Sequence, residues 1–119
     1  MFCAVTLLSF QTTVTGDVAV IALSGELDVA GAELLENELR RVAADHATTG
    51  LVLDLRDLDF MDSTGLRLMV LADERARAAG HAFTLVRGRP DVHRVFEITR
   101  MTDRLRFLDS AAEATELLA

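Results

Sequence analysis

The residues best suited to chemistry lie in one stretch, positions 53–71, LDLRDLDFMDSTGLRLMVL. Four carboxylates, Asp54, Asp57, Asp59 and Asp62, lead up to Ser63-Thr64-Gly65, and an apolar run follows from Leu66. An apolar run introduced by Asp, Ser or Thr reads as a helix start. Ser63 then sits where unpaired backbone amides and the helix dipole favour negative charge. A phosphoryl group on its hydroxyl would bring about −1.5 to −2 charges and three acceptor oxygens. The helix start would tolerate that load. Gly65 leaves the first turn without a bulky side chain, which would let another protein approach Ser63. The plainer reading is that Ser63 only caps the helix, as serine commonly does. Position 66 is Leu rather than Glu or Gln, so no capping box supports it.

Other chemistries fit poorly. The four aspartates lack the spacing and the glycine of a calcium loop. Ser63 has no nearby histidine and no GxSxG elbow, so it does not read as a catalytic nucleophile. Gly16, Gly25 and Gly31 are scattered and make no phosphate-binding loop. The three histidines, His46, His81 and His93, lack metal-ligand spacing. The single cysteine, Cys3, has no partner for a disulfide or a metal and reads as a small apolar side chain in the first strand.

The elements that must hold this stretch are legible from periodicity. Residues 5–14 and 18–23 are rich in β-branched side chains around Thr15-Gly16-Asp17, which predicts a β-hairpin. Ser24-Gly25 loosens the chain, and Asp28 is placed to cap a first helix over about 30–44, where Leu35, Leu39 and Val42 share a face. Leu51-Val52-Leu53-Asp54-Leu55 reads as a buried central strand. Residues 56–62 read as an acidic loop, and 63–79 as a second helix ended by Gly80. A strand over 82–86, a short helix over 91–98, an edge strand over 105–108 and a last helix from Asp109-Ser110 to Leu118 complete the order β-β-α-β-α-β-α-β-α. Strands alternating with helices predict a mixed, mostly parallel sheet of about five strands, with about four helices mainly on one face.

Composition sets the class. With 119 residues, half of them hydrophobic, the chain is expected to form one globular domain over 1–119. A formal charge of −7 argues against nucleic acid and against an anionic membrane surface. No run approaches a membrane span, and positions 1–10 lack the basic start of a signal peptide. A cytoplasmic location is the expectation.

Several of these segments, in order, resemble the STAS domains, and among them the anti-sigma factor antagonists. Gly25-Glu26-Leu27-Asp28 is similar to that family's G-E-L-D segment, and residues 51–55 to its central strand. Phe60-Met61-Asp62-Ser63-Thr64-Gly65-Leu66 is similar to its D-S-[ST]-G-L signature. Val95-Phe96-Glu97-Ile98-Thr99 and the Ala-rich terminal helix also fit, so the resemblance covers nearly the whole chain.

The resemblance implies a regulator rather than an enzyme, with no cofactor of its own. Ser63 would be the phosphoacceptor of an anti-sigma factor with serine kinase activity, which supplies ATP and Mg²⁺. The unmodified chain would bind that partner and release a sigma factor, and a metal-dependent serine phosphatase would reset the switch. Asp62 would flank the serine, Asp28 would lie close by, and Thr64, Gly65, Leu66 and Arg67 would complete the partner surface. Helix capping by Asp28 and Asp62 and core packing by Leu66 weigh equally with partner contact. The same fold would also serve a STAS subunit of a membrane transport complex, or a scaffold of a stress-sensing assembly. One departure stands out: the family often has Gly near Arg100, which puts the local turn in doubt.

Overall fold

The computed structural model describes residues 7–118, with side chains described through Thr115. The hairpin forms as expected, from β1 (Ser9–Thr15) and β2 (Val18–Leu27). Then come α1 (Val29–Ala43), β3 (Gly50–Met61), α2 (Ser63–Ala79), β4 (Ala82–Val86), α3 (Pro90–Ile98), a 3₁₀ turn (Met101–Asp103), β5 (Phe107–Leu108) and α4 (Ala111–Leu118). Cys3 and the first residues of the expected opening strand lie outside the described residues.

The five strands lie side by side in chain order. β1 pairs antiparallel with β2, and every later pair is parallel. Parallel neighbours need a crossover, and the helices supply it. One sheet face is covered by α1, α2 and α3 through a core that includes Ile21, Leu23, Leu35, Leu53, Leu55, Met69, Leu85 and Phe96. The opposite face carries a smaller cluster of Val18, Val52 and Val86 under Ala114 of α4. Three helices on one face and one on the other agree with the expected layering.

Two expected loops are strand. β2 continues through Ser24-Gly25 to Leu27, and β3 continues through the acidic segment to Met61. The reason lies in the spacing of the buried residues. Leu53, Leu55, Leu58 and Met61 all reach the main core, at steps of two, three and three residues. Register shifts between Ala22 and Ser24, and again at Gly25–Glu26, absorb the odd steps. Gly25 stands at φ +88°, a left-handed backbone that suits such a bulge. A strict two-residue period would put Leu58 on the wrong face, so the pattern does not read as strand.

The expected departure near Arg100 is also resolved. Arg100 takes φ +61°, the one non-glycine left-handed residue among those described, and the turn forms with Arg in place. It bridges α3 to the 3₁₀ turn through Arg100 N–H to Glu97 O at 3.1 Å.

Candidate functional site

β2 and β3 are adjacent parallel strands that end together, since Leu27 and Met61 are register partners. The next residue on each is an aspartate that starts a helix. Asp28 caps α1, its Oδ1 accepting from Gly31 N at 3.0 Å. Asp62 caps α2, its Oδ1 accepting from Thr64 N at 3.0 Å and Gly65 N at 3.1 Å. The backbone N–H of Asp62 reaches Leu27 O at 3.3 Å, which ties the two helix starts together. The sheet thus brings Asp28 and Asp62, 34 positions apart, to one edge.

This geometry revises the role of Ser63. The cap is Asp62, and Ser63 is the first helical residue. Its side chain is exposed, and among the described residues its hydroxyl has no protein hydrogen-bond partner. The capping requirement is met by Asp62, so the serine oxygen is free for other use. Thr64 is half-buried. Arg67 is exposed four residues after Ser63, on the same helix face.

Gly65 is buried, and its reason for being glycine is internal. A β-carbon there would lie 2.7 Å from Met61 Cγ and 2.8 Å from Leu27 Cγ. The residue lets α2 settle onto the strand ends rather than opening the surface to a partner. Leu66 is half-buried and borders a surface groove of about 520 Å³ that begins at Ser63 and runs along α2 past Val70 and Leu71 to Met101.

Sequence reasoning missed two neighbours of this edge. Val29, the first residue of α1, is 69% exposed, and Phe60, two residues before the Asp62 cap, is 48% exposed. With Met61 buried, strand alternation turns Phe60 outward, a signal available once residues 56–61 are seen as strand.

The acidic approach to the site is largely paired. Asp54 is buried, and its carboxylate accepts from the Arg56 guanidinium at 2.8–3.2 Å. That contact pushes the Arg56 guanidinium further up from its ordinary value. Asp59 meets Arg89 at 2.6 Å, so its negative charge is partly offset. Among the described residues, no cluster of His, Cys, Asp or Glu is gathered for a metal ion, and no helix is long and apolar enough to cross a membrane.

Comparison with known proteins gives a consistent picture. A family model described as STAS domain matches residues 9–114. BtrV of Bordetella bronchiseptica, named as an anti-sigma factor antagonist, is 36% identical over 80 residues, covering 67% of this chain and 68% of BtrV. The anti-sigma-F factor antagonist RsfB of Mycobacterium tuberculosis is 38% identical over 58 residues, 49% of this chain. The matched stretch spans 47% of RsfB. Among solved structures, an anti-sigma factor antagonist from Mycobacterium paratuberculosis aligns with TM-score 0.84 at 25% identity, covering 93% of each chain. The anti-sigma factor antagonist SpoIIAA in its unphosphorylated form aligns with TM-score 0.78 at 27% identity, covering 91% of this chain and 94% of SpoIIAA. Its phosphorylated form aligns with TM-score 0.74 at 25% identity, covering 93% and 100%.

Proposed function

We propose that this chain, which belongs to the STAS domain family, is an anti-sigma factor antagonist switched by phosphorylation of Ser63. The observation that carries this reading is the exposed Ser63 hydroxyl at the first residue of α2, freed from capping by Asp62. Relatives and structural neighbours named as anti-sigma factor antagonists support the same role. The chain acts by binding, not by turnover, and works in the cytoplasm.

In its unmodified state the chain binds an anti-sigma factor that is also a serine kinase, and the sigma factor is released. The contact surface comprises Ser63, Thr64, Leu66 and Arg67 on α2, with Asp28 and Asp62 at the two helix starts. Gly65 shapes that surface from beneath. The kinase, with Mg²⁺, transfers the terminal phosphoryl group of its ATP to Ser63 Oγ: the bond to the bridging oxygen breaks, ADP leaves, and the hydroxyl proton passes to a base of the kinase. A metal-dependent serine phosphatase reverses the change.

Helix geometry makes the phosphorylated state compatible with the fold. The dipole at the start of α2 favours an added anion, even with the Thr64 and Gly65 amides already taken by Asp62. Arg67, exposed four residues on along the same helix face, is spaced to pair with it. SpoIIAA, a similar fold, is described in both forms. The partner sees a different surface. A dianion beside Asp28 and Asp62 must be desolvated in any close interface, and an unpaired buried charge costs several kcal/mol.

The test is intact mass after incubation with ATP, Mg²⁺ and kinases of the anti-sigma type from the same source. One phosphate on the natural chain and none on Ser63→Ala is the expected result. A phosphate that persists in Ser63→Ala would overturn the assignment.

A further inference from the structure

At the end of α2 away from Ser63, the structure contains a cavity of about 370 Å³ between the C-terminal halves of α1 and α2. Its walls are Leu39 and Val42 of α1 and Leu51 of β3. Space exists because the apolar side chains that α2 presents towards it are the small ones of Ala72, Ala76 and Ala79, with Arg75 beside them. The hollow opens to solvent at Arg40, Ala43, Arg75 and Ala79, which are exposed. Ligand sites are commonly apolar hollows of roughly 300–1,000 Å³ with few polar groups, and this cavity falls within that range.

The charged groups at the cavity are all cationic or titratable bases: Arg40, Arg75 and His81. No carboxylate lines it among the described residues. Arg40 from α1 and Arg75 from α2 both donate to one oxygen, Glu36 Oε1, at 3.0 and 3.4 Å. Two guanidinium charges facing one carboxylate leave one positive charge unmatched, in a chain whose net charge is −7. Glu36 holds both arginines at the rim while remaining outside the cavity lining. A cation would be repelled there. A polyphosphate would need more donors than the rim supplies, and it would leave the apolar walls uncovered.

We propose that this cavity binds an amphipathic monoanion, a carboxylate on an aliphatic body of medium length. The tail lies against Leu39, Val42 and Leu51, and the carboxylate is shared between Arg40 and Arg75. This site is separate from the Ser63 surface, and its occupancy does not depend on the switch reading.

The experiment is a titration of the ¹⁵N-labelled protein with sodium octanoate, sodium hexanoate, 1-octanol and octylammonium chloride, followed by amide shifts. Octanoate is expected to give saturable shifts confined to residues 39–43, 50–51 and 72–81. Each buried methylene is worth about fourfold in affinity, so hexanoate should bind about fifteenfold more weakly. Octanol should bind at least fivefold more weakly than octanoate, and octylammonium should not saturate. Two surface variants separate charge from shape. Arg75→Gln should weaken octanoate but not octanol, and Glu36→Gln, which removes the competing carboxylate, should tighten octanoate. Three results would overturn the proposal: no saturable shift with octanoate at millimolar concentration, equal binding of octanoate, octanol and octylammonium, or indifference of octanoate to both variants.

Discussion

Ser63 is available because Asp62 does the work a helix-start serine often does. The aspartate satisfies two amides of the first turn, and the serine one position later keeps an exposed hydroxyl. The sequence contained both residues but not their division of labour, since either could cap the same helix. Arg100 is the opposite case, a residue the fold holds against its preference. A left-handed backbone costs a β-carbon-bearing residue roughly 1–2 kcal/mol. Glycine removes that cost but gives back about 0.4–1 kcal/mol through its freer unfolded chain. Arg100→Gly should therefore stabilise the fold by about 0.5–1 kcal/mol, read as a higher urea midpoint at unchanged slope. A lower midpoint would show that the Arg100 side chain contributes more than its backbone costs.

Among the elements, the junction of β2, β3 and α2 decides where the site stands. Gly65 rests directly on the side chains of Leu27 and Met61, so added volume at that position must displace those side chains or lift the helix. Gly65→Ala is expected to destabilise by about 1–3 kcal/mol through overpacking. Denaturant unfolding measures this, and an unchanged midpoint would mean the helix start yields easily. Most elements were legible in the sequence because their periods are regular. Residues 63–79 show a long apolar helix with a glycine stop, and 82–86 a short apolar strand. The end of β3 was not legible, because the bulges that keep Leu58 and Met61 inside break the two-residue alternation. With that strand unread, the outward Phe60 and the pairing of Asp59 with Arg89 could not be foreseen. The helix start at residues 62–67 was legible in the sequence, but the burial of Gly65 depends on a contact with Leu27, which is distant in the chain.

For the whole molecule, acid stability has an identifiable contributor. His93 is buried in α3 against Phe96 and Phe107, with ring centroids 6.3 and 4.9 Å away, and its Nδ1 has no partner among the described residues. Burial pushes its imidazole below the ordinary value of 6.5; Arg87 adds to that shift, and Glu97 opposes it. The unfolded chain takes up a proton near 6.5, and the folded chain only at lower pH. Stability from this group is complete above 6.5 and is lost as pH falls below it. His93→Phe should flatten the fall in unfolding free energy below pH 6.5, as measured by denaturant titration at several pH values. An unchanged slope would place the acid sensitivity elsewhere. In the proposed switch, the Ser63 surface changes charge without changing fold. Titration calorimetry of the anti-sigma partner against the unmodified and the Ser63-phosphorylated chain tests it most directly, with circular dichroism of both forms alongside. Matching spectra are expected, with an affinity at least a hundredfold weaker for the phosphorylated form, which is about 2.8 kcal/mol. Equal affinities would contradict it.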